Sequence, residues 1–111
     1  MVVMNQHFNQ EEVLQRLGND QELLKELLSF SLEDIPEYLA NIDAAIDAGD
    51  TDQIRKAAHK MKGFARNMAF TRLAELALAM EQGAAASANE QKELFEGLKE
   101  EADEVCRLIK D

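Results

Sequence analysis

Apolar residues recur along the chain at the three- and four-residue spacing of amphipathic helices, and between these runs stand caps and breakers. Asn9 precedes Gln10–Leu17, where acids fill the first turn, and Gly18-Asn19 ends the run, which predicts a short first helix. Asp20 then caps a long segment. Leu23, Leu24, Leu27, Leu28, Tyr38, Leu39, Ile42 and Ile46 keep one stripe through it, on both sides of Pro36. The pattern fits one long helix bent at Pro36 or two helices meeting there. Ala48-Gly49-Asp50 is a stop followed by a new cap. A third helix is expected from about Thr51 to Met68, with a turn over Asn67 to Phe70. Thr71 is placed to cap a helix running to Gln82 and Gly83. Ser87, with Glu90 three residues on, starts the last helix, whose stripe is Leu94, Phe95, Leu98, Ala102, Val105, Leu108 and Ile109.

Four substantial amphipathic helices with short links predict an all-α fold. The expected form is an antiparallel up-down four-helix bundle with the short N-terminal helix capping one end. At 111 residues the chain is expected to be a single domain over 1–111, frayed over 1–8. Abundant Ala, Leu, Glu and Lys, one proline and no tryptophan agree with helices. No run approaches the roughly 18 apolar residues of a membrane-spanning helix, and the N-terminus lacks the basic region of a signal peptide. The single cysteine, Cys106, has no partner for an internal disulfide, so a cytoplasmic setting is the simple reading. Beside Val105 it reads as a small buried hydrophobe.

Charge changes the picture at one place. The total is −10, which argues against binding nucleic acid or an anionic membrane. Yet Arg55, Lys56, Lys60, Lys62, Arg66 and Arg72 fall between Thr51 and Arg72 against the single acid Asp52. That segment is +5 and the remainder therefore −15. On a wheel of about 100° per residue, Ile54, Ala57, Ala58, Met61, Phe64, Ala65 and Met68 share one direction. His59 points about 160° away from it, toward solvent, flanked by Arg55, Lys62 and Arg66. Gly63 follows one turn on. Glycine inside a helix costs about 1 kcal/mol relative to alanine, so its use on this face implies close approach of another surface. Imidazole, with an ordinary pKa of about 6.5, is largely neutral and nucleophilic at neutral pH, and a lysine beside it can steady phosphoryl oxygens. The arrangement suits phosphoryl transfer.

The run His59-Lys60-Met61-Lys62-Gly63 resembles the His-x-(Leu/Met)-Lys-Gly signature of histidine-containing phosphotransfer (HPt) domains. Flanking segments are similar in register: the leucine-rich stretch from Asp20, Ile35-Pro36-Glu37-Tyr38-Leu39, the Ala48-Gly49-Asp50 turn, and Leu73 to Glu81. The resemblance implies that His59 accepts a phosphoryl group from a receiver-domain aspartate and passes it to another. Lys62 would stabilise that group, Gly63 would leave room for the receiver, and Glu81 would orient the ring through its other nitrogen. By its own helical angle Glu81 is equally a solvated acid. The implied partners are receiver domains of response regulators or of a hybrid histidine kinase. Arg55, Lys60, Phe64 and Arg66 would meet them, and the chain itself would be a monomeric phosphocarrier without autokinase activity. It would need no cofactor, Mg²⁺ being brought by the receiver.

Two positions depart from the family pattern. Phe64 replaces a small residue, and either buries against a neighbouring helix or presents its ring to the partner. Ala69 stands where glycine is common, so the following turn is expected to differ in shape. His7, in the polar N-terminal stretch, is expected to have no role, and the acids of the last helix to be solvated. Metal ligation is not expected, since no Glu-x-x-His pair exists. The competing readings are a non-catalytic helical adaptor that docks an acidic signalling partner through the basic His59 face, and a structural bundle that dimerises.

Overall fold

The computed structural model describes residues 5–110. Five helices and no strand occur among them: α1 Gln10–Arg16, α2 Gln21–Ala48, α3 Thr51–Asn67, α4 Thr71–Gln82 and α5 Ala88–Ile109. Helix α3 packs against α2 and α4, and α5 packs against α4 and α2, so these four close a ring; α1 rests against α2. The molecule is 43 Å long, close to the ~42 Å that 28 helical residues span at 1.5 Å each. Helix α2 therefore sets its length.

Caps define the starts. Asn9, Asp20, Asp50 and Ser87 each accept a hydrogen bond from the backbone N–H three residues on, at 3.0 to 3.2 Å. Gly49 closes α2 in the left-handed region at φ 65°, its N–H on the Ile46 carbonyl and the Asp50 N–H on that of Ala45. Helix α2 runs through Pro36 without interruption, so the one-helix alternative holds. Proline lacks the N–H that would reach the Leu32 carbonyl, but Pro36 lies on the exposed side, where water can serve that oxygen. One turn earlier the buried Ser31 hydroxyl donates to the Leu27 carbonyl at 2.8 Å.

The start of α4 differs from expectation. Thr71 is its first helical residue, and the buried Phe70 holds the cap position with no side-chain bond. Backbone groups replace the missing cap. The Arg72 N–H donates to the Gln6 carbonyl at 2.8 Å, and the Asn9 N–H to the Ala69 carbonyl at 3.0 Å. The stretch before α1 is thus tied across the α3–α4 turn, and Phe8 is buried with its ring 5.3 Å from that of Phe70. Fraying was the expectation for residues 1–8. Within residues 5–8, Phe8 is instead buried and the Gln6 carbonyl fills an orphan N–H, while the Asn5 and Gln6 side chains stay exposed; residues 1–4 lie outside the described part. Ala69 adopts φ 57°, the left-handed conformation that favours glycine, so the turn keeps a glycine-like backbone with alanine in it.

Ile35, Ile42, Ile54, Met61, Leu73, Met80, Leu98 and Val105 form the centre of the core. Cys106 is half-buried at its edge, and burial beside Asp103 raises its thiol pKa. No helix is long and apolar enough to cross a membrane among the described residues.

Candidate functional site

Helix α3 buries Ile54, Ala58, Met61 and Ala65 and turns the opposite face outward. His59 lies on that face with its side chain 65% exposed. Its Nδ1 is 3.1 Å from Glu81 Oε2 on α4. The other carboxylate oxygen, Oε1, accepts from Lys62 Nζ at 2.6 Å. The lysine is only 12% exposed and the glutamate 20%, so this pair is held against the protein while the imidazole projects from it. One carboxylate thus bridges a lysine and a histidine that sit three residues apart on the neighbouring helix.

The chemistry of the groups fixes the proton. An ionised carboxylate only accepts hydrogen bonds, so Nδ1 carries the hydrogen and donates, and the Nε2 lone pair is left facing solvent. Lys62 favours the ionised form of Glu81. Its hydrogen bond is the largest influence lowering the glutamate's pKa, desolvation opposes it, and the His59 contact adds to the lowering. The result is an exposed nitrogen nucleophile with its tautomer set from behind.

Gly63 completes the arrangement by what it leaves out. A Cβ added there would meet no atom within 4 Å. Nothing inside the described chain requires glycine at this point, although it costs helix stability relative to alanine.

The flanking residues divide. Arg55 pairs with Asp52 at 3.1 Å and stays exposed. Lys60 lines an open cleft of about 260 Å³ with Asp34, Glu37, Tyr38 and Asn41 of α2. Arg66 is exposed and borders a groove of about 350 Å³ whose far wall is Glu12 and Arg16 of α1. Arg16 reaches from there to the Arg66 and Asn67 carbonyls at 3.1 and 3.0 Å, which satisfies the end of α3. Phe64 turns inward. Its ring lies 4.9 Å from Tyr38 and 5.8 Å from Phe70, half-buried in a row that continues to Phe8.

Glu81 was legible only through the resemblance, because its own helical angle did not distinguish a bridging acid from a solvated one. A second charged cluster went unread. Glu101 is buried, 2.6 Å from His7 Nδ1 and 3.7 Å from Arg72 Nε. Its position three residues after Leu98 and four before Val105 places it on the apolar stripe of α5, which was the available signal. Among the described residues no group of three or more His, Cys, Asp or Glu is placed to hold a metal ion.

Comparison with known proteins shows the family and the fold. The sequence model of the Hpt domain matches residues 26–107. The fold is similar to the crystal structure of histidine-containing phosphotransfer protein B (HptB) from Pseudomonas aeruginosa PAO1. The TM-score is 0.83 and the sequence identity 26%, with 94% of this chain and 91% of that chain covered. No curated protein matches the sequence.

Proposed function

The chain belongs to the Hpt domain family and is a histidine phosphotransfer protein of a phosphorelay, and on that premise we propose that His59 is the phosphoryl acceptor. Its Nε2 attacks the acyl phosphate of a receiver-domain aspartate and later surrenders the phosphoryl group to a second receiver. The observation that carries this reading is the His59–Glu81–Lys62 bridge. It leaves one nucleophilic nitrogen exposed, with a cation beside it for the phosphoryl oxygens. Gly63 supplies clearance for the receiver, and Arg55, Lys60 and Arg66 meet its acidic surface. The half-buried Phe64 meets it only with the edge it leaves exposed.

Helices α2 to α5 form an antiparallel up-down four-helix bundle with α1 capping one end, which the short links and the Arg16 bonds to the end of α3 support. The chain is one Hpt-like domain over 1–111, a cytoplasmic monomer that acts as phosphocarrier without autokinase activity. It uses no cofactor of its own, and Mg²⁺ is the receiver's. Its receivers belong to response regulators or to a hybrid histidine kinase.

Incubation with a Mg²⁺-loaded, phosphorylated receiver should label the wild type with an acid-labile, base-stable phosphoryl group and leave His59→Gln unlabelled. Equal labelling of the two proteins would remove His59 from the reaction. If His59→Gln instead preserves binding and signalling while charge reversal at Lys62 and Arg66 abolishes them, the chain works as an adaptor.

A further inference from the structure

The bridge that orients His59 also places a negative charge on the ring nitrogen that takes no part in bond making. We propose that the Glu81 carboxylate keeps the phosphorylated ring protonated at Nδ1, so that the group which leaves His59 during transfer is neutral imidazole. The inference rests on His59 being the acceptor, and it assigns Glu81 a role through charge in addition to orientation.

When Nε2 carries the phosphoryl group and Nδ1 keeps its hydrogen, the ring is a cation. In transfer the Nε2–P bond breaks with its electron pair remaining on Nε2, and a P–O bond forms to the receiver's carboxylate. The Nδ1 hydrogen stays where it was, and the ring ends as neutral imidazole in the tautomer that Glu81 already holds. No proton has to enter or leave. If Nδ1 were instead bare, the same bond cleavage would expel an imidazolate anion, a far poorer leaving group.

A carboxylate stabilises the cationic ring by charge as well as by hydrogen bonding; an amide at the same place would offer only the hydrogen bond. Here the carboxylate is fixed. Lys62 occupies Oε1 at 2.6 Å and leaves Oε2 for Nδ1 at 3.1 Å; a glutamate carboxylate is ionised at pH 6 to 8 with or without that lysine, so the charge beside the ring is Glu81's own. The other charged groups are placed elsewhere. On α3, Arg55 is paired with Asp52. On α2, Asp34 and Glu37 line the cleft with Lys60. Glu75 of α4 lies at the groove with Arg66 and Arg16. The charged group within hydrogen-bond distance of the ring is thus the Glu81 carboxylate, whose other oxygen Lys62 holds.

The test uses the full chain phosphorylated with phosphoramidate, a small phosphodonor that needs no receiver. Hydrolysis of phosphohistidine is followed by ³¹P NMR at pH 6 and pH 8 in wild type, Glu81→Gln and Lys62→Met. The glutamine amide retains an acceptor for Nδ1–H, so ring orientation survives and only the charge is lost. The wild type should slow by less than about threefold from pH 6 to pH 8. Glu81→Gln should slow by about tenfold or more, the scale of one unit of displaced titration. Lys62→Met should change the absolute rate and keep the shallow ratio. Equal ratios in wild type and Glu81→Gln overturn the inference, as does a steep ratio in Lys62→Met. If phosphoramidate labels His59→Gln as well as wild type, the assignment of His59 itself fails.

Discussion

Two glycines in this chain are kept for opposite reasons. At Gly83 an added Cβ would lie 2.7 Å from Leu94 Cδ1 and 3.1 Å from the Ala79 carbonyl, so a side chain there would force Leu94 to move. At Gly63 the space is empty and the helix would gain from alanine. Gly63→Ala should therefore stabilise the free protein by about 0.5–1 kcal/mol in urea unfolding and slow phosphoryl transfer from a receiver. A variant that is stabilised and transfers at the wild-type rate would show that no surface approaches this point. Glu81 makes a prediction in pH. Its pKa is depressed in the folded state, so the stability it contributes is present above the unfolded value of about 4.3 and is lost as pH falls through the folded one. Urea midpoints of wild type and Glu81→Gln should differ at pH 6 to 7 and converge as pH falls below about 4. A gap that does not narrow at all as pH falls below about 4 would mean the bridge is not held by charge.

Helices α3 and α4 meet the solvent with different kinds of start. Asp50 caps α3 with its side chain, and Asp50→Ala should cost about 1 kcal/mol, read by thermal or urea unfolding. Helix α4 relies on the Gln6 carbonyl and on Phe8, which anchors that stretch under the α3–α4 turn. Phe8→Ala should cost about 3 kcal/mol, the loss typical of a fully buried ring, and should loosen the start of α4 in hydrogen exchange. If only residues 5–8 lose protection, the tie is local. This contrast explains what could be read from the sequence. Periodicity and side-chain caps are local signals, and they placed α1, α2, α3 and α5 and the outward face of His59. The tie from Gln6 to Arg72 is a backbone bond between distant segments and leaves no trace in residue type. Thr71 looked like a cap because its side chain is of the right kind, while the buried Phe70 decides where the helix begins. Residue type alone does not separate Glu101 from the solvated acids of α5, because its partners, His7 and Arg72, come from elsewhere in the chain.

Across the whole molecule the charge is divided, +5 over 51–72 and −15 elsewhere. Such a division acts on encounter more than on the lifetime of a complex. Arg66→Glu should reduce the association rate with a receiver by about tenfold at low salt and less at roughly 0.5 M, with the dissociation rate nearly unchanged, measured by stopped flow or surface plasmon resonance. An effect confined to dissociation would place Arg66 in a tight contact and not in steering. The aromatic row has another use at this scale. The chain contains no tryptophan and a single tyrosine. That ring, Tyr38, lies tilted against Phe64, the residue next to Gly63. All of the protein's tyrosine fluorescence therefore comes from one site beside the acceptor face. A receiver stripped of its own tyrosines and tryptophans would make docking visible as a change in brightness, with no dye attached to either protein.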